Sequence, residues 1–246
     1  MKLFITGGSR GIGEAIVMEA ARAGHDVAFT YREARASADR VLAAARDVGR
    51  GARIEAYALD QRSPQAVEEV TDRVLDDFGT IQGVVCNAGV NINGLAASLG
   101  DDEWQTVIDT NLSGSFYVCR QLLPSMVKAR KGRIVMISSL GRGGVTGQAA
   151  YAASKAGLLG LSSTLAKEYG RKGITSNVVV PGFFETDMTR EGMSDANKKF
   201  WLEYCPVGRM GHLSEVASVV MFLLSDGASY VNGESIAVTG GLDWAP

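Results

Sequence analysis

The sequence predicts a single doubly wound α/β domain over residues 1–246, in which helices cover both faces of a mostly parallel, seven-stranded sheet. Short β-branched runs alternate with longer amphipathic helical patterns from one end of the chain to the other. Most of the strand runs are continuously apolar rather than alternating, which is typical of parallel strands that are buried on both sides. No linker, repeat or low-complexity segment divides the 246 residues, so we expect one large core.

The predicted elements follow in chain order. The strands are expected at 2–6, 26–31, 53–59, 83–87, 133–139, 175–180 and 235–239. After the first strand, a mostly apolar stripe of helical period runs from Ile12 to Ala23, and Gly24 is a suitable residue to end that helix. Ser63 and Pro64 provide an N-cap and a first helical position for the helix after the third strand.

The run from about 187 to 206 interrupts this alternation. It places Met193, Phe200 and Trp201 among charged residues. We predict that this run forms a helical flap over the substrate, inserted into the domain rather than forming a second one. Together with Phe183 and Met188, its large side chains would give the flap an apolar lining.

Composition excludes several classes of protein. Apolar residues make up 46% of the chain and charged residues 21%, and the 25 basic and 27 acidic residues give a net charge of −2. This balance gives no general attraction to nucleic acid or to an anionic membrane, and no apolar run is long enough for a membrane span. The three cysteines form no C-x-x-C pair and the two histidines lie in no ligand cluster. We therefore expect buried free thiols, no metal site and a cytoplasmic protein.

A glycine-rich turn directly follows the first predicted strand and precedes the first helix. It reads Thr-Gly-Gly-Ser-Arg-Gly-Ile-Gly from Thr6 to Gly13. Such a turn offers backbone N–H groups and a helix N-terminus to a phosphate, and glycines allow the backbone to approach it closely. Its position favours a dinucleotide site over a purely structural turn. The candidate cofactor-binding residues here are Gly7, Ser9, Arg10, Gly11, Ile12 and Gly13.

The turn resembles the cofactor turn of the short-chain dehydrogenase/reductase family. The resemblance covers essentially the whole chain and continues through Asn87-Ala88-Gly89, Asn111, Tyr151-x-x-x-Lys155 and Pro181-Gly182 followed by Thr186. Within the family, the runs around Tyr151 and Pro181 are most similar to those of 3-oxoacyl-[acyl-carrier-protein] reductases and type II polyketide ketoreductases.

The resemblance implies a Rossmann-type fold and the NADPH-dependent reduction of a 3-oxoacyl thioester carried by an acyl carrier protein. It also implies a homotetramer. Two alternatives remain open. One is an NAD(P)-dependent oxidoreductase of a small alcohol, sugar or steroid, and the other is an NADP-binding scaffold without catalysis. Fold analogy does not separate the first two activities.

The end of the second strand bears on the choice of nicotinamide cofactor. NAD sites of this kind place an acidic residue there, whereas NADP sites place a basic group that meets the 2′-phosphate. Here Arg32 follows the strand directly, and Arg10 supplies a second guanidinium within the glycine turn. We therefore expect NADPH. The alternative is that Arg32 is a solvated residue that pairs with Glu33.

The resemblance assigns further residues to the cofactor. Asp60 matches the position that meets the adenine edge, and Asn87, with Gly89, matches a position beside the adenosine ribose. Asn87 would also serve simply to cap a turn. At the other end of the cofactor, the residues expected to hold the nicotinamide are Pro181, Gly182, Phe184 and Thr186.

Tyr151 and Lys155 are four residues apart in a helical pattern, which places both side chains on one face. A phenol with an ordinary pKa of about 10 is a weak proton donor near neutral pH, and a nearby ammonium is expected to lower that pKa. The resemblance gives Lys155 a second task on the nicotinamide ribose. It assigns Asn111 to a local helix distortion that connects Lys155 to a proton relay.

Two adjacent serines compete for the third catalytic position. Counting from the glycine that opens the fifth strand selects Ser139, whereas counting back from Tyr151 by the family's spacing selects Ser138. Adjacent strand residues point to opposite faces, so only one of them can serve. We favour Ser139, because a sheet cannot absorb a one-residue slip while the following loop can.

Basic residues cluster before the fifth and sixth strands, at Lys128, Arg130, Lys131, Arg133, Arg171 and Lys172. The resemblance matches Arg130 and Lys172 to the positions at which relatives dock the acidic carrier protein. The alternative is that these cations are solvated helix ends, where the helix dipole favours them. The chain ends in Gly-Gly-Leu-Asp-Trp-Ala-Pro rather than in the Gly-Gly-Met of fatty-acid relatives. The pathway, fatty acid or polyketide/polyene, therefore stays open.

Overall fold

The structure is a computed structural model that describes residues 1–186 and 195–243. Its strands are β1 (Lys2–Ile5), β2 (Asp26–Tyr31), β3 (Ile54–Ala58), β4 (Gly83–Cys86), β5 (Gly132–Ile137), β6 (Ile174–Pro181) and β7 (Ser235–Val238). They form one seven-stranded sheet in the order β3-β2-β1-β4-β5-β6-β7. Every neighbouring pair is parallel, which confirms the predicted sheet.

Eight α-helices of the described chain pack on this sheet. They are α1 (Gly11–Arg22), α2 (Arg35–Val48), α3 (Pro64–Phe78), α4 (Asp101–Ile108), α5 (Gly114–Ala129), α6 (Ala149–Tyr169), α7 (Asp195–Tyr204) and α8 (Leu213–Leu224). Helices α1, α2 and α8 share a core with one face of the sheet, and α3, α5 and α6 share a core with the other face. The doubly wound class is thereby confirmed.

The two cores explain why the strands read as continuous apolar runs. In β1, Leu3 and Ile5 enter the core with α1, while Phe4 between them enters the core with α3. All three side chains are fully buried. Burying a side chain of this size contributes about 1.5–3 kcal/mol, so neither face of a central strand tolerates a polar residue without a partner.

Local sequence signals set several element boundaries. The hydroxyl of Ser63 accepts a hydrogen bond from the backbone N–H of Ala66, and Pro64 opens α3. The predicted fifth strand continues to 139, but β5 ends at Ile137. The N–H of Ser138 still bonds to the carbonyl of Val179, whereas Ser139 begins a 3₁₀ turn by accepting a hydrogen bond from Gly141. The strand prediction was therefore two residues too long.

The order of the strands places a crevice at one edge of the sheet. β1 lies between β2 and β4, so the connections leaving its carboxyl end and that of β4 diverge around a topological switch point. Ligands of open α/β sheets bind at such points. The glycine turn, the turn after β4, the serines after β5 and the loop after β6 all lie at this carboxyl edge.

Helix α7 lies within the predicted flap. Its Trp201 stacks on Phe183 with ring centroids 5.5 Å apart and an interplanar angle of 18°, in a small apolar cluster that also holds Leu140, Cys205 and Leu242. This cluster attaches α7 to the loops at the carboxyl edge. The predicted lining residues Met188 and Met193, and the side chain of Phe200, lie outside the described residues.

The cysteines of the described chain, Cys86, Cys119 and Cys205, are free and buried. The sulfurs of Cys86 and Cys119 lie 3.7 Å apart. Within the described ranges, no helix combines the length and the apolar character that a bilayer crossing requires. The same residues contain no group of three or more His, Cys, Asp or Glu side chains suited to a metal ion.

Candidate active site

The glycine turn joins β1 to α1 in a conformation that other residues would not adopt. Gly7 and Gly11 have positive φ angles of 67° and 58°. A Cβ on Gly7 would lie 2.8 Å from the backbone of Ala88, and one on Gly13 would overlap the carbonyl oxygen of Gly7. Ser9, Arg10 and Ile12 fill the positions between these glycines. The turn therefore lies directly against the turn after β4. No side chain caps the N-terminus of α1, which leaves room for a phosphate there.

Asn87 holds the glycine turn in place. Its side-chain amide donates to the carbonyls of Thr6 and Gly7, at 3.0 and 3.1 Å. In return, the hydroxyl of Thr6 accepts hydrogen bonds from the backbone N–H groups of Asn87 and Ala88, both at 3.0 Å. Asn87 thus caps the turn, which is one of the two roles expected for it, and its expected contact with the adenosine ribose stays a prediction.

Charged residues follow β2 and β3, where the resemblance places the adenosine end of the cofactor. Arg32 forms an ion pair with Glu33, with Nε and Oε1 2.9 Å apart, which is the alternative considered for this arginine. Asp60 is held by Arg62 through several hydrogen bonds, and these bonds keep the pKa of its carboxyl below the ordinary value. A cofactor that contacts Arg32 or Asp60 would therefore share Arg32 with Glu33 and Asp60 with Arg62.

Tyr151, Ser139 and Lys155 come together at the carboxyl edge. The hydroxyl of Ser139 accepts from the N–H of Gly141 at 3.1 Å, and a Cβ on Gly141 would meet both this hydroxyl, at 3.4 Å, and the ring of Tyr151, at 3.5 Å. The ammonium of Lys155 lies 5.7 Å from the centre of the Tyr151 ring and donates to the carbonyl of Ile137 at 2.8 Å. The predicted spacing on α6 therefore places the phenol and the ammonium on one face.

The pKa of Tyr151 differs from the expectation. Burial raises the pKa of this phenol, and the hydrogen bond from Ser139 only partly opposes that effect. The expected lowering by Lys155 is wrong for this structure, because the ammonium is directed at the carbonyl of Ile137 and is itself buried. Burial lowers the pKa of Lys155 to about 8, so the surroundings favour the neutral form of both groups.

The structure separates the two candidate serines. Ser138 is 3% exposed, and its hydroxyl donates to the carbonyl of Lys155 at 2.8 Å. It therefore serves the backbone of α6, whereas the hydroxyl of Ser139 lies beside the ring of Tyr151. The catalytic role of Ser139 stays a prediction.

Asn111 lies in a helix distortion, as the resemblance implied. Residues Asp109–Ser113 form a π-helical turn between α4 and α5. The buried amide of Asn111 accepts from the N–H of Val90 at 2.8 Å and donates to the carbonyl of Val90 and the hydroxyl of Ser154, both at 2.9 Å. Asn111 thus ties the turn after β4 to α6.

The loop after β6 closes the other side of the crevice. Pro181 ends β6, and a Cβ on the next residue, Gly182, would lie 2.7 Å from the backbone of Thr239. The ring of Phe184 is buried against Gly211. The loop continues to Thr186, whose methyl group lies beside Gly11 of the glycine turn. The structure therefore brings the predicted nicotinamide loop to the predicted phosphate turn.

The two predicted docking residues lie elsewhere. Arg130 follows α5 in a left-handed conformation with φ 51°, and Lys172 lies in the short 3₁₀ turn before β6. Both are at the amino edge of the sheet, roughly 20 Å from Ser139, given about 3.3 Å per residue along β5. Arg133, which we grouped with the basic cluster before the fifth strand, is buried within β5 and pairs with Asp226. That grouping was wrong, because only part of the cluster is surface.

Two polar residues were missed in the sequence. The hydroxyl of Ser154 accepts from Asn111 and donates to the carbonyl of Tyr151 at 2.8 Å. The only signal for Ser154 in the sequence is its position one helical turn after Tyr151. Gln61 is 4% exposed beside the π turn, and no local pattern marks it.

Comparisons with known proteins agree with this geometry. The chain matches the family described as enoyl-(acyl carrier protein) reductase over residues 7–243. It is 41% identical over 242 residues to the 3-oxoacyl-[acyl-carrier-protein] reductase FabG of Escherichia coli, covering 97% of this chain and 95% of that protein. The FabG of Pseudomonas aeruginosa is 41% identical over 239 residues, with the same shares covered.

Solved structures show the same architecture. The crystal structure of levodione reductase superposes with a TM-score of 0.93 at 30% identity and covers 98% of this chain and 96% of that one. The structure of a putative short-chain alcohol dehydrogenase from Sinorhizobium meliloti superposes with a TM-score of 0.93 at 34% identity. It covers 98% of this chain and 95% of that one. The chain therefore belongs to the short-chain dehydrogenase/reductase family.

Proposed function

We propose that the protein reduces a 3-oxoacyl thioester, carried by an acyl carrier protein, to the 3-hydroxyacyl thioester with NADPH. The observation that carries this proposal is the convergence of Tyr151, Ser139 and Lys155 beside the glycine turn. Reduction of a ketone needs a proton donor at its oxygen and a group that orients this oxygen, which Tyr151 and Ser139 would provide, and the adjoining glycine turn would hold the cofactor. The names of the relatives from Escherichia coli and Pseudomonas aeruginosa point to the same substrate class.

The residues of the crevice fit a nicotinamide dinucleotide. A Cβ at Gly7 or Gly13 would fill the space in which the turn approaches its neighbours, and the N-terminus of α1 has no side-chain cap. When bound, the reduced nicotinamide supplies a hydride to the ketone carbon. The loop from Pro181 to Thr186 would hold the nicotinamide end.

The chain's own residues supply the proton. Ser139 donates a hydrogen bond that orients the ketone oxygen, and Tyr151 transfers its phenolic proton to that oxygen as negative charge develops there. Since burial keeps the pKa of Tyr151 high, the phenol is fully protonated before reaction. Lys155, whose ammonium donates to the carbonyl of Ile137, would hold the ribose of the nicotinamide, and Asn111 ties the turn after β4 to α6.

NADPH is the proposed cofactor because a basic residue, Arg32, and not an acid, directly follows β2. Arg32 is 40% exposed in its side chain and Arg10 is exposed in the glycine turn. Glu33 pairs with Arg32 in the structure, so a 2′-phosphate would have to replace that contact. A dianionic phosphate offers the guanidinium the same bidentate contacts together with a larger negative charge.

A second candidate activity has support of its own. The structure of levodione reductase, named for a free ketone, superposes on nearly the whole chain, and the Phe183–Trp201 stack gives the crevice an apolar border. A reductase of small free ketones or alcohols would use the same three side chains. The carrier-linked substrate is preferred because the sequence relatives are closer in identity.

We further propose a homotetramer in the cytoplasm, acting in fatty-acid or polyketide/polyene synthesis. Exposed aromatic residues support assembly, with Trp104 and Phe116 on α4 and α5 and Phe222 and Tyr230 near the edge strand β7. Free thiols suit a reducing compartment. The pathway follows from whichever acyl chain is accepted.

The test is NADPH oxidation with matched substrates. Acetoacetyl-carrier protein, a small acetoacetyl thioester and a panel of free ketones and alcohols are compared with both NADPH and NADH. We expect kcat/KM to be highest with the carrier-linked substrate, and higher with NADPH than with NADH. Higher kcat/KM for a free ketone would favour the second candidate, and equal values for the two cofactors would contradict the role of Arg32.

A further inference from the structure

Gln61 connects three segments of the carboxyl edge. It follows Asp60 after β3 and is 4% exposed. Its side-chain amide nitrogen donates to the carbonyl of Thr110 at 2.6 Å and lies 3.4 Å from the carbonyl of Ala88. One buried amide therefore joins the end of β3, the turn after β4 and the π turn before α5.

The π turn creates the need for this donor. In an α-helix, the N–H of Gly114 would bond to the carbonyl four residues earlier, that of Thr110. In the π turn this N–H bonds to the carbonyl of Asp109 instead. The carbonyl of Thr110 thus loses its α-helical donor, and Gln61 supplies another.

Packing fixes the glutamine at this point. A Cβ on Gly114 would lie 2.6 Å from the Cγ of Gln61, so the side chain lies directly on the first turn of α5. Two backbone carbonyls face the nitrogen, while the amide oxygen has no hydrogen-bond partner among the described residues. The task of the side chain is therefore to donate, which a carboxylate of the same shape cannot do.

We propose that Gln61 is a positioning residue for Asn111 in the reaction, which rests on the function proposed above. The residue that Gln61 holds, Thr110, directly precedes Asn111. The amide of Asn111 binds Val90 and Ser154, and Ser154 lies between the phenol and the ammonium on α6. Because Gln61 holds Thr110 in the π turn, the amide of Asn111 stays within hydrogen-bond distance of Ser154 on α6.

The first test compares two variants of nearly equal size with a control. Gln61→Met removes the donor, and Gln61→Glu replaces it by a carboxyl that donates only when protonated. We expect kcat to fall about tenfold or more in Gln61→Met while KM for substrate and cofactor changes less than about threefold. In Gln61→Glu, kcat should recover as the pH falls, because a protonated carboxyl can donate to Thr110. Gln82→Met, which removes a contact to Lys2 at the amino edge, should leave kcat unchanged.

The second test separates positioning from general stability. If Gln61 acts through Asn111, adding Gln61→Met to Asn111→Ala should lower kcat by less than about twofold, whereas independent effects would multiply. Hydrogen–deuterium exchange of the amides at 113–116 should accelerate in Gln61→Met without a change in α1. That readout stands even if the wild-type protein fails to reduce any thioester. Unchanged kcat and unchanged exchange in Gln61→Met, or multiplying effects in the double variant, would overturn the proposal.

Discussion

At the residue scale, the site is defined by what burial does to its titratable groups. Burial raises the pKa of Tyr151 and lowers that of Lys155 to about 8. The sequence predicted that Tyr151 and Lys155 lie on one helix face, but it did not predict the directions of their pKa shifts. These shifts depend on how deeply the two side chains are buried and on the Ile137 carbonyl that the ammonium binds. A buried, protonated phenol is a donor that becomes effective only when charge appears on the ketone oxygen.

Removing each serine tests the assignment of the hydroxyl. Ser139→Ala should lower kcat by about 10²–10³, the cost of losing one donor to a developing oxyanion. Ser138→Ala should keep kcat within about threefold and lower the free energy of unfolding by about 1 kcal/mol, because the Lys155 carbonyl loses its partner. Steady-state kinetics and urea unfolding measure the two effects. The opposite pattern of kcat values would reassign the role to Ser138.

The buried ammonium predicts a trade between stability and activity. The pKa of Lys155 is lowered from 10.5 to about 8 in the folded protein, so the unfolded chain binds this proton more tightly. Its contribution to the free energy of unfolding therefore rises with pH from about 8 to about 10.5, and the charge destabilises the fold at neutral pH. Lys155→Met should abolish reduction and raise the free energy of unfolding at pH 7 by roughly 1–3 kcal/mol.

Urea unfolding at pH 7 and pH 10 checks this sign. The advantage of Lys155→Met over the wild-type protein should shrink at pH 10, where more of the wild-type lysine is neutral. A variant that is less stable than the wild-type protein at pH 7 would contradict the account.

At the scale of the elements, local sequence signals set most boundaries. Ser63 and Pro64 begin α3 as predicted, and six of the seven predicted strands differ from the structure by no more than one residue at either end. The π turn at Asp109–Ser113 could be anticipated only as a distortion. Its shape depends on partners far along the chain, with Val90 and Ser154 binding its asparagine.

The glycine turn gives an element-scale test. Gly13→Ala would force a methyl group onto the Gly7 carbonyl and open the turn at the N-terminus of α1. We expect the Kd for NADPH to rise at least about tenfold, a loss of about 1.4 kcal/mol. In the matched control Gly100→Ala, φ is −71° and the new methyl group meets only Glu103 at 3.5 Å, so Kd should not change. Fluorescence titration measures both, and an unchanged Kd in Gly13→Ala would contradict the phosphate role of the turn.

At the scale of the whole molecule, the two edges of the sheet have different roles. The carboxyl edge holds the crevice, and the amino edge holds Arg130 and Lys172. The sequence predicted that the cations form a cluster, but it could not show that Arg133 is buried in β5 or that Lys131 pairs with Asp226. Those contacts join segments about a hundred residues apart, which no local pattern encodes.

The separation of the edges gives a test of carrier docking. Arg130→Glu with Lys172→Glu should raise KM for acetoacetyl-carrier protein by about tenfold, since an acidic partner would meet like charge. Kinetics with a small acetoacetyl thioester should not change, because both residues lie far from Ser139. Arg50→Glu, an exposed reversal before β3, serves as the control. Equal effects on both substrates would show that the reversal disturbs the site rather than docking.

The most direct test of the account is the effect of Tyr151→Phe on acetoacetyl thioester reduction by NADPH. The variant lacks only the phenolic hydroxyl, so we expect kcat to fall by about 10³ or more while the Kd for NADPH stays within about threefold of the wild-type value. A variant that keeps a tenth or more of wild-type kcat would contradict the assignment of Tyr151 as the proton donor.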